Sequence, residues 1–384
     1  MIKRLKLDHI GPAPKLEVEE FGSRLNLITG DNGLGKTFLL DACWYALTRT
    51  WADGKQFYPS PDAAKTPAPA MEYGIIGKYG VEAKNRAEFQ FRDQVWVREQ
   101  GRPPIPGLVI YARIDGGFSV WDPARNHWHD DEMDDGQERP PAFQFTKEQV
   151  WNGLEESEGG QKSIICNGFL RDVESWRLKR NGAFALLGRV LAGLSEGEPE
   201  TLKMGEGVRV RVNDVLDIPT LKMPYGIVPV TQAAAGMRRV LALAYLLVWA
   251  WEEHVRAAKL QKDDPTLRMV LLFDEVEAHL HPKWQRVFLP SLLNIVNGLL
   301  LQERIEAIKA GATKGRSRNL KSILRRIPRP VQIIATTHAP LVLASVEAEW
   351  SAQKDRRFEF KFSERNRVVL EGVEFARQGS AGTG

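Results

Sequence analysis

The residues best suited to chemistry lie in the stretch GDNGLGKT, between a short apolar run and a segment with a helical pattern. It matches G-x-x-x-x-G-K-[ST] at every fixed position. Glycines let the backbone turn tightly, so that successive N–H groups can point at one anion, and the following helix adds the positive end of its dipole. The pattern therefore predicts a phosphate-binding loop formed by Gly30, Asp31, Asn32, Gly33, Leu34, Gly35, Lys36 and Thr37.

The last two residues of this loop bring different polar groups. The ammonium of Lys36 suits the β and γ phosphates of a nucleotide, and the hydroxyl of Thr37 suits Mg²⁺. The alternative is a glycine-rich turn that matches by chance. The strand, loop and helix context favours a nucleoside triphosphate site.

A second chemical cluster lies in RMVLLFDEVEAHLHP, residues 268–282. The apolar run from Met269 to Phe273 is typical of a buried parallel strand, and it ends in two carboxylates. Asp274 can hold Mg²⁺ together with Thr37, and Glu275 can accept a proton from an attacking water. A solvated acidic strand end is the alternative, and the phosphate loop upstream argues against it.

A third strand, VQIIATT at residues 331–337, ends at His338. A lone histidine is usually structural. Ligands of open α/β folds, however, bind at the carboxyl ends of the strands. We therefore count His338 among the candidate catalytic residues, with Glu275 and Lys36.

The elements that must position these residues follow from local patterns. Three strands lead into the phosphate loop, and the helix after it is apolar nearly all round apart from Asp41. Alternation from Glu82 to Trp128 predicts a small inserted antiparallel sheet, and a further strand is expected around Val208 to Val212. The C-terminal segment FEFKFSERNRVVLEGVEF predicts a hairpin. We divide the chain into an ATPase core (1–50 and 256–375), a linker with the inserted sheet (51–162), a helical lobe (163–255) and a disordered tail (376–384).

Composition sets the broad class. The chain has 384 residues, 43% of them hydrophobic, which is enough for a sizeable core, and a net charge of only +4 does not by itself indicate a nucleic-acid binder. Cys43 and Cys166 lack metal-ligand spacing, which favours a reduced, cytoplasmic setting. The longest apolar run, Val240 to Trp251, is too short for a membrane span and predicts a buried helix.

Two charged segments remain open to more than one interpretation. The acidic stretch at residues 129–141 lacks the spacing of a calcium loop, so a solvated loop is favoured over a metal site. The basic stretch at residues 304–329 could neutralise phosphates of DNA or RNA, or could simply be a solvated face. Its closely spaced cations are Lys314, Arg316, Arg318, Lys321, Arg325 and Arg326.

The order of these motifs resembles that of the ATP-binding-cassette (ABC) ATPases, and more narrowly the head domains of SMC, RecF and OLD ATPases. The opening MIKRLKLDHIG with LNLITGDNGLGKT is similar to the start of those heads. DEVEAHLHP with ATTHAP is similar to transporter-free members found in bacterial defence systems. The resemblance implies an α/β P-loop NTPase fold, an ABC-type head with an inserted antiparallel sheet and a helical signature lobe.

By this resemblance, two heads sandwich ATP and Mg²⁺, with the phosphate loop of one head facing the signature turn of the other. Ala234, Ala235 and Gly236 occupy the signature position, with alanine at 234 where the LSGGQ pattern has serine. His338 corresponds to the switch histidine, and Val276 to Leu280 to the segment that crosses to the other head. The glutamine loop has two candidates, Gln144 and Gln161.

We therefore expect an ATPase that forms a homodimer and controls a separate effector, such as a nuclease in DNA processing or anti-phage defence. A nucleotide-sensing scaffold with little turnover is the alternative, and a transporter subunit is a weaker one. The sequence between Lys36 and Gly236 contains no sustained heptad pattern, which argues against a long coiled coil. The 46 residues after His338 (384 minus 338) are too few for an OLD-type nuclease domain, so we expect any nuclease to be a separate protein.

Overall fold

The structure is a computed structural model. It describes residues 1–60, 63, 67–77, 80–98, 104–126, 142–158, 161–180, 182–195, 201–213, 215–312, 331–364 and 367–374. The strands are β1 (Ile2–Asp8), β2 (Lys15–Val18), β3 (Leu25–Gly30), β4 (Ala70–Ile76), β5 (Glu82–Gln90), β6 (Val95–Arg98), β7 (Leu108–Ala112), β8 (Phe118–Trp121), β9 (Phe143–Phe145), β10 (Leu154–Glu158), β11 (Gln161–Cys166), β12 (Thr220–Met223), β13 (Gly226–Pro229), β14 (Met269–Phe273), β15 (Val331–Thr336), β16 (Asp355–Phe362) and β17 (Val368–Gly372).

The helices are α1 (Lys36–Thr48), α2 (Pro123–Asn126), α3 (Lys147–Asn152), α4 (Phe169–Leu178), α5 (Gly182–Leu194), α6 (Ala235–Leu260), α7 (Pro282–Gln285), α8 (Phe288–Ala312) and α9 (Pro340–Glu347). Among the described helices, none is long and apolar enough to cross a membrane. The predicted buried helix is confirmed, because residues 240–251 form the buried middle of α6.

The central sheet has eight strands in the order β17-β16-β3-β15-β14-β7-β8-β9. Its middle strands, from β16 to β7, run parallel, and β17, β8 and β9 pair antiparallel at the edges. Strands β14 and β15 are buried along their whole length, as their continuous apolar runs predict. Because the carboxyl ends of parallel strands share one edge, the phosphate loop, Asp274 and His338 meet there.

The second sheet has five antiparallel strands in the order β2-β1-β4-β5-β6. The prediction of one small inserted sheet from Glu82 to Trp128 is wrong in its membership. Strands β5 and β6 join the N-terminal strands through β4, whereas β7 and β8 enter the central sheet. The reason is burial: all five residues of β7 are buried, as in a strand covered on both faces, while β5 alternates.

The hydrophobic core lies on both faces of the central sheet. One cluster includes α1 and the buried face of the second sheet, and the other includes α5, α6 and α8. Helix α1 is buried almost throughout, with Trp44 and Cys43 fully enclosed. This packing fixes the start of α1, and with it the phosphate loop, against the sheet.

The remaining predictions had mixed outcomes. The C-terminal hairpin is confirmed as β16 and β17. The strand expected around Val208 to Val212 is wrong, because this stretch makes only an isolated bridge from Val208 to Ile218 and leaves Val212 fully exposed. The acidic stretch and the tail at 376–384 lie outside the described residues.

Candidate nucleotide site

The phosphate loop depends on glycine at both ends. Gly30 and Gly35 have φ of +128° and +104°, in the left-handed region that favours glycine. A Cβ on Gly30 would stand 2.4 Å from the carbonyl oxygen of Phe360, and one on Gly35 would stand 2.6 Å from Cγ of Pro12. Helix α1 begins directly after Gly35 without a side-chain cap, so its first N–H groups face the loop.

Lys36 spans the loop from within. Its side chain is buried, and Nζ donates to the carbonyl oxygens of Gly30 at 2.7 Å and Asp31 at 2.8 Å. These bonds hold the ammonium over the turn of the loop. A phosphate in the loop would therefore find the cation already in place.

A hydrogen-bond network joins the loop to the ends of β14 and β15. Oγ1 of Thr37 donates to Oδ2 of Asp274, and Oγ1 of Thr336 donates to Oδ1 of the same carboxylate, both at 2.8 Å. Thr336 also accepts from the backbone N–H of Glu275 at 2.7 Å. Sequence reasoning missed Thr336, although a threonine ending a buried strand beside Asp274 was a usable signal.

This network fits a magnesium ion. The Thr37 hydroxyl and the buried Asp274 carboxylate supply the oxygen ligands that Mg²⁺ prefers. Within the described ranges, no group of three or more His, Cys, Asp or Glu side chains could hold a metal ion. Phosphates and waters would supply the other ligands of an Mg²⁺ ion held by Thr37 and Asp274, as is usual for this ion.

Glu275 lies just beyond the end of β14, with a left-handed φ of +47°. Such a conformation costs a non-glycine residue about 1–3 kcal/mol and is concentrated at functional sites. Here the hydrogen bond from its N–H to Thr336 stabilises it. The side chain is partly exposed at the edge of the sheet that carries the phosphate loop.

His338 is paired with a carboxylate that sequence reasoning missed. Its backbone N–H donates to Oε1 of Glu277 at 2.8 Å, and its ring Nδ1 lies 3.0 Å from the same oxygen. The Glu277 side chain is 7% exposed and the His338 side chain is 50% exposed. Glu277 therefore contacts the Nδ1 side of the His338 ring, and half of the His338 side chain remains exposed to solvent.

The signature turn opens α6. Ala234 is the N-cap residue, with extended backbone and no side-chain cap, and both Ala234 and Ala235 are exposed. A Cβ on Gly236 would stand 2.5 Å from the carbonyl oxygen of His279. A glycine here therefore lets α6 pack against the segment that follows Glu275 in the same chain.

Arg239 ties α6 to the catalytic edge, a connection that the sequence did not reveal. Its Nη2 donates to the carbonyl oxygens of Asp274 and Glu275, each at 3.1 Å. Burial lowers the pKa of this guanidinium, and the nearby carboxylates, Asp274 first, oppose that shift. Arg239 thereby connects α6 to the residues that follow β14.

The two glutamine candidates lie in different places. Oε1 of Gln144, on β9, accepts from the Ser119 hydroxyl and from the N–H of Asp53, and lies 3.4 Å from Nη1 of Arg113. Arg113 directly follows β7, the neighbour of β14. Gln161 begins β11, opposite Glu158 in the β10–β11 hairpin. The contacts connect Gln144 to the nucleotide edge.

The six basic residues proposed for nucleic-acid contact all lie outside the described residues. They are Lys314, Arg316, Arg318, Lys321, Arg325 and Arg326. Their role therefore stays a prediction.

Two segments of the chain match protein-family models. Residues 224–344 match "AAA domain, putative AbiEii toxin, Type IV TA system", and residues 4–98 match "AAA domain". The first segment contains the signature turn, Asp274, Glu275 and His338, and the second contains the phosphate loop. No curated protein matches the chain in sequence.

Among solved structures, the chain is similar to the SMC head domain from Thermotoga maritima, at 13% identity and a TM-score of 0.43, covering 97% of this chain and 99% of the other. It is also similar to the recombination mediator protein RecF-ATPrS of the RecFOR pathway, at 11% identity and a TM-score of 0.41, covering 97% of this chain and 98% of the other. A third is the Smc head bound to the C-terminal domain of ScpA, derived from Pyrococcus furiosus, at 12% identity and a TM-score of 0.40, covering 97% and 96%. Likenesses this distant say nothing of what the chain itself binds.

Proposed function

We propose that this chain, whose motifs resemble those of the ABC-type heads of the SMC, RecF and OLD ATPases, binds ATP with Mg²⁺ and hydrolyses it as a molecular switch. The two segments that match AAA-domain models support this proposal. The observation that carries this proposal is the convergence of Lys36, Thr37 and Asp274 with Glu275 and His338 at one edge of the central sheet. Phosphoryl transfer is catalysed mainly by groups held in fixed positions around the phosphates.

Binding uses groups that are already oriented. The loop N–H groups and the α1 N-terminus would receive the phosphates, and Lys36 would exchange its bonds to Gly30 and Asp31 for phosphate oxygens. Thr37 and Asp274 would hold Mg²⁺, which neutralises phosphate charge when bound. Thr336 fixes the Asp274 carboxylate by its hydrogen bond.

Glu275 is the proposed general base. Its carboxylate would orient the attacking water and accept its proton, because it follows Asp274 directly and remains partly exposed. His338 would donate a hydrogen bond to the γ-phosphate as negative charge develops there. The protein's contribution is therefore positioning and charge stabilisation.

Dimerisation is the second half of the switch. The exposed Ala234 and Ala235 leave the start of α6 free to meet the phosphate loop of another copy. This exposure supports the proposed homodimer, with two ATP molecules at its interface. Val276 to Leu280, packed against Gly236 at His279, would carry the change between the heads.

The output is proposed to be control of a separate effector, a nuclease in DNA processing or anti-phage defence. The match to a family model of the AbiEii toxin type supports an assignment to defence. Contact with DNA or RNA through the basic stretch at residues 304–329 is part of the same proposal.

A nucleotide-sensing scaffold is the second candidate, favoured by one observation. Ala234 has no hydroxyl to cap α6 or to reach a phosphate, which weakens ATP-driven closure. Phosphate release by the wild type and by Glu275→Gln, with ATP binding measured in parallel, separates the two. The switch requires turnover that the variant loses while it still binds ATP. Equal release by both proteins would refute the base assignment, and binding without release by the wild type would favour the scaffold.

A further inference from the structure

Glu277 stands out among the buried groups that the proposed chemistry leaves unused. It lies two residues after the proposed base, and its side chain is only 7% exposed. Burying a carboxylate is costly unless it is well paired. Its paired oxygen, Oε1, faces the backbone N–H and the ring Nδ1 of His338, at 2.8 Å and 3.0 Å.

We propose that Glu277 is a positioning residue that sets the orientation and tautomer of His338. A carboxylate oxygen 3.0 Å from Nδ1 favours the proton on Nδ1, and this leaves Nε2 as the nitrogen presented to the nucleotide. The bond from Glu277 to the backbone N–H fixes the turn that carries the ring. Half of the His338 side chain remains exposed, so Nε2 has access to a γ-phosphate.

With Nδ1 facing the Glu277 carboxylate, Nε2 is a donor only in the ring that carries a proton on both nitrogens. In that form, negative charge that develops on the γ-phosphate oxygens would meet a charged donor at Nε2. The inference rests on the proposed function of His338. Glu277 itself touches neither nucleotide nor water in this account.

The surroundings of the second carboxylate oxygen of Glu277 determine which substitutions test the proposal. Oε2 is buried and has no hydrogen-bond partner among the described residues. Glu277→Gln can therefore place its amide nitrogen at that position and keep an acceptor toward His338, so it removes charge at constant shape. Glu277→Ala removes charge and acceptor together. Glu174→Gln is a matched control, because Glu174 is also buried, binds Arg177 through one oxygen and leaves the other unpartnered.

Steady-state ATPase kinetics on the full chain test the proposal. We expect Glu277→Ala to lower kcat by about 10- to 100-fold, the range for partners that orient a functional histidine, with KM nearly unchanged. The kcat of Glu277→Gln should lie between those of Glu277→Ala and the wild type, and the kcat of Glu174→Gln should equal that of the wild type. In the double variant Glu277→Ala, His338→Ala, kcat should be no lower than in His338→Ala, because Glu277 acts through the histidine. The proposal would be overturned if the kcat losses of the two single variants multiplied in the double variant. It would also be overturned if Glu277→Ala had the same kcat as the wild type.

A second measurement does not depend on turnover. With ¹⁵N-labelled histidine, the His338 resonance is identified by its loss in His338→Ala. We expect a protonated Nδ1 in the wild type and in Glu174→Gln, and a shift toward the other tautomer in Glu277→Ala. An unchanged tautomer would overturn the proposal. If the wild type hydrolyses no ATP, the proposed function fails, but the spectrum still shows whether Glu277 sets the tautomer of His338. If Glu277→Ala does not fold, Glu277→Gln is compared with the wild type in its place.

Discussion

The hydroxyl of Thr37 donates a hydrogen bond to Oδ2 of Asp274 over 2.8 Å, joining two residues that lie 237 positions apart in the chain. One stands at the start of α1 and the other at the end of β14. The contact is possible because β3, β15 and β14 are adjacent and parallel, which brings their carboxyl ends together. This hydrogen bond joins the phosphate loop and the carboxylates that follow β14 into one site.

Thr336 holds the other side of that carboxylate, so its hydroxyl should matter for turnover. Thr336→Val leaves Oδ1 of Asp274 and the N–H of Glu275 without their partner, which should lower the free energy of unfolding by about 1–3 kcal/mol. We expect kcat for ATP to fall at least about tenfold, because the base loses its fixed backbone position. Thr337→Val is the control, since its hydroxyl accepts from Ala339 instead. Equal losses of kcat in both variants would contradict this role.

Arg239 should couple the signature helix to the base. Arg239→Ala removes the donors to the carbonyls of Asp274 and Glu275, so we expect lower thermal stability and reduced ATP turnover. Arg238→Ala is the control, because that guanidinium stacks 5.0 Å from the Trp151 ring centroid. It should lose stability of about 0.5–1 kcal/mol with less effect on kcat. The coupling is refuted if Arg238→Ala impairs turnover as much as Arg239→Ala does.

Ala234→Ser should strengthen the start of α6. A serine at this uncapped N-cap position can accept from an N–H of the first turn, which is worth about 0.5–2 kcal/mol. We expect a higher melting temperature and tighter ATP-dependent dimerisation, measured by thermal unfolding and by mass in solution. Ala235→Ser, one residue inside the helix, should give neither gain. Stabilisation of both variants alike would rule out capping as the cause.

Asp41 should make the nucleotide-free protein less stable as the pH rises. Burial raises the pKa of this carboxyl from 3.8 to about 6, and the charge of Asp274 adds to that shift. The folded chain therefore keeps a proton that the unfolded chain releases between pH about 4 and 6, so stability falls through this window. Asp41→Asn should be more stable than the wild type at pH 8 by up to about 3 kcal/mol, with the difference gone near pH 4. Urea unfolding at both pH values checks this, and a gain independent of pH would disprove it.

The sequence was most informative where chemistry dictates residue type at fixed spacing. Gly30, Gly35 and Lys36 could be placed because few residues can serve in a phosphate loop. Asp274 and His338 could be placed because continuous apolar runs mark the strands before them.

Partner choice could not be read from local patterns. Strand β7 follows β5 and β6 in the chain, yet it pairs with β14, about 160 positions away. All of its residues are buried, as in a strand that is covered on both faces. Its unbroken apolar run LVIYA was the overlooked signal. Arg239, Thr336 and Glu277 escaped notice for a similar reason, since their hydrogen bonds arise only when distant segments meet.

The most direct test of the central claim is the mass in solution of Glu275→Gln, with and without ATP and Mg²⁺. We expect a 43.3 kDa monomer without nucleotide and about twice that mass with it, because the variant binds ATP but cannot hydrolyse it. Lys36→Ala, tested alongside, should remain a monomer in both conditions. A Glu275→Gln protein that binds ATP and stays at 43.3 kDa would contradict the account of an ATP-driven, dimerising switch.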